Sequence, residues 1–127
     1  MRFPAADRRE LARVTLVLAL LTMVVTYPLA REAARALPGD LGDPLLNAFI
    51  LGWDASRILH GFAGVWTAPF FFPLRDTLAL SEHLFGVAIF AVFLIWLTGN
   101  PVLAYNAAFL RSYVLANLSM YLLTKRL

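Results

Sequence analysis

Long apolar runs, separated by shorter polar stretches, dominate the chain. The first run, Val14 to Ala30, carries no charge, and extending it back to Leu11 adds only Arg13. A helix of about 20 residues covers roughly 30 Å, the thickness of the hydrocarbon core of a bilayer. The pattern therefore predicts a transmembrane helix near residues 11–30.

Two further apolar runs lie in the second half of the chain, at Leu84–Thr98 and Pro101–Thr124. They predict spans near residues 79–98 and 101–124, and the breaker residues Thr98–Pro101 predict a tight turn between them. Arg111 lies near the middle of the last run, where an arginine costs about 2.5–3.5 kcal/mol on insertion. The surrounding leucine, valine and phenylalanine residues offset that cost, so the third run still predicts a span.

The segment between the first and second runs contains a helical pattern of its own. Asp43-Pro44 predicts the start of a helix, because aspartate is a favoured N-cap and proline a favoured first helical residue. Beyond it, polar residues recur at spacings of seven, three and four among apolar ones: Asn47, Asp54, Arg57 and Gly61. This periodicity predicts an amphipathic helix lying in the membrane interface.

Composition supports a membrane protein and excludes several other classes. Hydrophobic residues make up 61% of the 127 residues and charged residues 15%, outside the usual range of soluble domains. The net charge is +3, but the basic residues are scattered, which argues against nucleic-acid binding. The absence of cysteine excludes disulfides and thiolate sites.

Charge distribution predicts the orientation. Basic residues, among them Arg8 and Arg9, precede the first run, whereas residues 31–78 hold most of the acidic residues. The positive-inside rule then places the N-terminus in the cytoplasm and residues 31–78 in an external loop. The predicted fold is an all-α, three-span polytopic protein of the bacterial inner membrane, forming one module over residues 1–127.

A cleaved signal peptide is the alternative explanation of the first run. Ala34-Arg35-Ala36 has the shape of a cleavage site, and basic residues precede the apolar stretch. The run is longer than a usual signal core, and Arg31 and Glu32 separate it from that site. These features favour an uncleaved helix.

Two aspartates behind the first run are the main candidates for chemistry. Asp40 follows Leu-Pro-Gly, where a solvated turn aspartate is the commonest role. A carboxylate there would also suit a general base acting on a hydroxyl, or a ligand of a divalent metal. For Asp43, helix capping is favoured over catalysis.

Three charged or titratable residues in the later runs are secondary candidates. Glu82 and His83 would relay a proton or contact a phosphate, although capping and interface solvation explain them more simply. Arg111 would pair with an acid or bind a lipid phosphate. Asn106, Tyr113 and Asn117 share one helix face, a pattern typical of helix packing.

The order of these features resembles a known superfamily. The stretches "PGDLGD", "ILGWDASRIL", "FFFPLRDTLALSEHLFG" and "LTGNPVLAYN" resemble the N-terminal part of bacterial GT-C glycosyltransferases, including YfhO-like proteins. The resemblance implies transfer of sugar from a polyprenyl-phosphate donor, with Asp40, or alternatively Asp43, as the catalytic carboxylate or metal ligand. By charge complementarity, Arg57, Arg75 and Arg111 become candidates for contacting the donor phosphate.

The chain has fewer predicted spans than members of that superfamily. It is therefore expected to be a fragment of a longer protein, inactive alone, with membrane lipid and an oligomeric partner or a missing C-terminal half completing it. The alternative is a non-enzymatic small polytopic protein, or part of a transporter or assembly factor.

Overall fold

The computed structural model describes residues 7–40 and 42–127 of the chain. All regular secondary structure in these residues is helical. The five α-helices are α1 (Arg8–Val25), α2 (Leu29–Glu32), α3 (Asp43–Leu59), α4 (Phe85–Thr98) and α5 (Pro101–Arg126), and a short 3₁₀ helix covers Thr77–Leu80. The chain divides into two compact units, one formed by residues up to Glu32 with Phe109–Leu127, the other by Ala33–Ala108.

The first unit joins α1 to the end of α5. Asp7 caps α1, since its side chain accepts a hydrogen bond from the Arg9 amide. Glu10, in the first turn of α1, accepts hydrogen bonds from the Tyr121 hydroxyl and the Lys125 ammonium group of α5. These contacts lower the pKa of Glu10, the Lys125 hydrogen bond most strongly and the Tyr121 hydrogen bond next.

The core of the second unit lies where α3 packs on α4. Small residues allow this close approach: Ala55 of α3 and Ala88 and Ala91 of α4 are almost fully buried, with Leu51 of α3 and Ala104 of α5 in the same cluster. The indole nitrogen Nε1 of Trp96 donates a hydrogen bond to the Ala55 carbonyl at 3.1 Å and so links α4 to α3.

A second cluster holds the segment between α3 and α4 against α3. It consists of Ile50, Ala68 and Leu78, all buried. Hydrogen bonds reinforce the cluster, because the Thr77 hydroxyl donates to the Ala68 carbonyl at 2.8 Å and the Leu78 amide to the Trp66 carbonyl at 3.0 Å. Although it lacks a long helix, this segment therefore has a defined path along α3.

The turn between α4 and α5 is specified by its sequence. Gly99 closes α4 in the left-handed region, with φ of 66°, which glycine adopts without steric cost. The Asn100 side chain accepts a hydrogen bond from the Leu103 amide, and Pro101 begins α5. The predicted tight turn at Thr98–Pro101 is confirmed.

The predicted polytopic membrane fold is wrong. Among the described residues, none of the helices combines the length with the apolar character that crossing a bilayer requires. In the span near 11–30, α1 starts in a charged turn and ends at Val25, and the separate helix α2 begins at Leu29. The span near 79–98 contains α4, whose 14 residues cover about 21 Å. The helix in the third span, α5, is long, but polar residues and Arg111 interrupt its apolar character.

The helix predicted after Asp43 is confirmed, with one correction at its start. It begins at Asp43 itself, so Gly42 is the N-cap and Asp43 lies in the first turn. An acidic residue in the first turn still interacts favourably with the positive end of the helix dipole.

Candidate functional site

Asp40 occupies an exposed turn. Its Oδ1 accepts a hydrogen bond from the Gly42 amide at 3.1 Å, the geometry of an aspartate that stabilises its own turn. The structure therefore gives Asp40 the local role that a Gly-Asp pair usually has, and its predicted catalytic role stays a prediction.

Asp43 and Glu82, which sequence analysis treated separately, lie on the same cavity. The volume of the cavity is about 430 Å³. Its lining comes from the start of α3 and from the residues after the 3₁₀ helix: Asp43, Leu46, Asn47, Leu80, Ser81 and Glu82. Two carboxylates, an amide and a hydroxyl thus share a space with two leucine side chains, and the volume falls in the range of small-molecule sites.

Tyr105 of α5 contacts one residue of the cavity lining, Asn47. Its phenol is hydrogen-bonded to Asn47. Burial raises the pKa of Tyr105 most strongly and the negative charge of Asp43 raises it further, while the Asn47 hydrogen bond acts in the opposite direction. Tyr105 therefore stays protonated and holds the Asn47 side chain at the cavity wall. The sequence gives no local signal for Tyr105, because its contact to Asn47 spans 58 positions of the chain.

A buried ionisable pair lies further along α3. The Asp54 side chain is fully buried, and its Oδ1 lies 3.6 Å from Nε2 of His83, whose side chain is 14% exposed. Within the described residues, neither Asp54 oxygen nor His83 Nε2 has a hydrogen-bond partner. Burial raises the pKa of Asp54, and the His83 charge only partly opposes that effect. Asp54 appeared in the polar stripe of α3, but the sequence did not indicate its burial.

Aromatic rings surround the pair. The ring centroids of Trp66 and Phe85 lie 4.9 Å and 5.1 Å from that of His83. The Arg57 guanidinium, one turn beyond Asp54, lies 4.1 Å from the ring centroid of Trp53, a cation–π contact. The rings therefore fix the positions of the His83 imidazole and the Arg57 guanidinium.

The predicted phosphate-binding residues are not brought together as one set. Arg57, Glu82 and His83 belong to the second unit, and Arg75 is an exposed residue of the loop before the 3₁₀ helix. Arg111 belongs to the first unit. Glu82 lines the cavity and His83 meets Asp54, so these neighbouring residues have different surroundings.

The cavity does not have the donor set of a metal centre. In residues 7–40 and 42–127, no three or more His, Asp or Glu side chains converge so as to hold a metal ion. Asp43 and Glu82 line the cavity as a pair of carboxylates without a third such ligand. Their chemistry is therefore better suited to accepting hydrogen bonds than to enclosing a cation.

Comparisons with known proteins add no relative. No family model, curated protein or solved structure matches the chain. The classification as a membrane glycosyltransferase is therefore corrected, because the described helices include no candidate span and no similarity supports it. Sugar transfer from a polyprenyl-phosphate donor, the lipid and oligomeric partners and the inner-membrane location stay predictions that these findings do not test.

Proposed function

We propose that the cavity between the start of α3 and the Ser81-Glu82 segment binds a hydroxyl-rich ligand of the sugar class. The observation that carries this proposal is the convergence of Asp43, Asn47, Ser81 and Glu82 on one cavity of about 430 Å³. These groups complement the hydroxyls of a sugar, since carboxylates accept hydrogen bonds while an amide and a hydroxyl both donate and accept.

The apolar residues of the cavity complement the other part of such a ligand. Leu46 and Leu80 provide surfaces for the C–H faces of a sugar ring, while the polar groups fix its orientation. Asp43 and Glu82 are both exposed residues with access to solvent, so a ligand reaches them without unfolding the segment. In this arrangement Asp43, the alternative carboxylate of the sequence analysis, orients a hydroxyl of the ligand.

The test is binding of a panel of methyl glycosides, those of glucose, galactose, mannose and N-acetylglucosamine. Saturation-transfer NMR detects the contact and isothermal titration calorimetry measures its affinity. A hydrogen bond to a charged group contributes about 1.5–3 kcal/mol, so Asp43→Asn and Glu82→Gln are each expected to weaken binding by roughly 10- to 100-fold.

Glu32→Gln is the matched control, because Glu32 lies in the first unit and its nearest charged partner is Arg31. It should bind the glycoside as the native chain does. The proposal is wrong if none of the glycosides binds at millimolar concentration, or if Asp40→Asn abolishes binding while Asp43→Asn leaves it intact.

A further inference from the structure

The Asp54–His83 pair is not part of the proposed sugar site, but His83 belongs to the segment that forms one wall of that site. His83 directly follows Ser81 and Glu82, which line the cavity, and the opposite wall is formed by Asp43 and Asn47 of α3. The His83 ring meets Asp54 of the same helix. Asp54 lies seven residues after Asn47, on the same helix face and about 10.5 Å along the axis.

The pair is confined to an apolar surrounding. Neither α4, which packs on α3, nor the 3₁₀ helix carries an ionisable side chain. Arg57 on α3 lies over the Trp53 ring, Tyr105 of α5 is hydrogen-bonded to Asn47, and a ring nitrogen of His60 lies 2.8 Å from the Ser56 carbonyl oxygen. On the segment that carries His83, Arg75 and Glu82 are exposed, and Asp76 accepts a hydrogen bond from the Thr67 hydroxyl at 2.9 Å. Among the described ionisable groups, His83 is the one whose charge acts on Asp54.

An ionised Asp54 needs a compensating charge, because its carboxylate is fully buried and both oxygens lack a hydrogen-bond partner within the described residues. One proton shared by the pair meets that need, either on the carboxyl or on the imidazole. We propose that the Asp54–His83 pair is a proton-dependent latch that keeps the Ser81-Glu82 wall docked on α3. This inference rests on the proposed function for its effect on the ligand.

The direction of the pH dependence follows from the burial of Asp54. Burial raises the pKa of Asp54 in the folded chain above its unfolded value, against the smaller effect of the His83 charge. The stability contributed by protonation of Asp54 is therefore fully present at pH values below its unfolded pKa and is lost as the pH rises through its folded pKa. When the pair loses its last proton, a buried carboxylate faces a neutral imidazole and the latch weakens.

Two measurements test the latch, each made from about pH 5 to about pH 9. Imidazoles, and carboxyl groups whose pKa is raised by burial, change protonation in this range. The first is the nuclear Overhauser effect between the Phe49 ring of α3 and the Phe70 ring of the segment that carries His83, whose centroids lie 5.9 Å apart when the segment is docked on α3. The second is the affinity for the methyl glycoside that binds best in the panel. Both should fall at high pH, and one released proton limits the fall in affinity to about tenfold per pH unit.

Three variants test which groups are responsible for the pH dependence. Asp54→Asn removes the buried charge and should keep both the ring contact and the affinity constant to high pH. His83→Gln removes the proton acceptor and should weaken glycoside binding throughout the range. His60→Gln, which changes the other histidine of the chain, should keep the native pH profile, and circular dichroism establishes that each variant is folded.

The outcomes separate this inference from the proposed function. If no glycoside binds at any pH, the loss of the ring contact at high pH in the native chain still supports the latch. If a glycoside binds with the same affinity from low to high pH and the ring contact persists, the sugar site stands and the latch is wrong. The latch is also wrong if Asp54→Asn keeps the native pH profile.

Discussion

Asn106 is predicted to be one of the main stabilising side chains of the second unit. It is fully buried on α5, and its amide nitrogen donates hydrogen bonds to the carbonyls of Ala33 and Ala36 at 2.7 Å and 2.6 Å. These bonds fasten the chain before α3 to a helix 70 residues later in sequence. Asn106→Leu keeps the number and branching of the side-chain heavy atoms and removes both donated hydrogen bonds.

The size of the effect follows from counting the polar groups involved. Two hydrogen bonds are lost at about 1 kcal/mol each, and the part-buried Ala33 carbonyl, left without a partner, adds about 1 kcal/mol. The Asn106 Oδ1 atom is itself buried without a hydrogen-bond partner among the described residues, so removing it returns about 1 kcal/mol. The expected net loss in the free energy of unfolding is about 2 kcal/mol.

Chemical denaturation measures this loss. Tryptophan fluorescence reports the second unit, which holds Trp53, Trp66 and Trp96, and far-ultraviolet circular dichroism reports the helices of both units. Asn117→Leu is the matched control, because the exposed Asn117 amide bonds only to the Tyr113 carbonyl one turn earlier, and its effect should stay within about 0.5 kcal/mol. Equal effects of the two substitutions would refute the bridging role of Asn106.

Two further predictions concern a helical glycine and an ion pair. Gly52→Ala should stabilise the chain by about 0.5–1 kcal/mol in the same denaturation assay, because alanine has a higher helix propensity than glycine. The added Cβ would lie 3.4 Å from Pro101 Cβ, an ordinary van der Waals contact. Destabilisation would show that this contact is overpacked. Lys125→Met should raise the pKa of Glu10 toward its ordinary value in a carbon-13 NMR titration, whereas Arg126→Met should not. In the native chain the lowered pKa of Glu10 contributes stability at pH values above the unfolded pKa, and this stability is lost as the pH falls through the folded pKa. An unchanged pKa of Glu10 in Lys125→Met would contradict the pairing.

Local sequence patterns predicted where helices and turns lie better than they predicted the environment of those helices. The polar stripe after Asp43 predicted α3, and the Thr98–Pro101 breaker residues predicted the turn between α4 and α5. The predicted membrane architecture is wrong because it was inferred from the lengths of the apolar runs in the sequence. The predicted span 79–98 begins at the end of the 3₁₀ helix and includes a non-helical stretch before α4, and sequence hydropathy does not reveal such interruptions.

The candidate site was only partly predictable for a related reason. Asp43, Glu82 and His83 were all identified as candidates, each from its own neighbourhood in sequence. The contacts that define their surroundings join distant positions: Asp43 shares a cavity with Glu82, and His83 meets Asp54. Such pairings depend on the path of the segment between α3 and α4, which tertiary packing rather than local periodicity determines.

The polar residues of α3 also differ in what they contribute to stability. Asn47 is hydrogen-bonded to Tyr105 and lines the cavity, so its polarity is satisfied. Asp54 lies between the buried residues Ile50 and Ala55, where a leucine would contribute to the core without the cost of desolvating a charge. A helix that served only to cover the core would therefore gain stability by losing this carboxylate. The stability cost of Asp54 is expected for a residue whose proton serves the proposed latch, and Asp54 lies on the same face of α3 as Asn47 in the cavity lining.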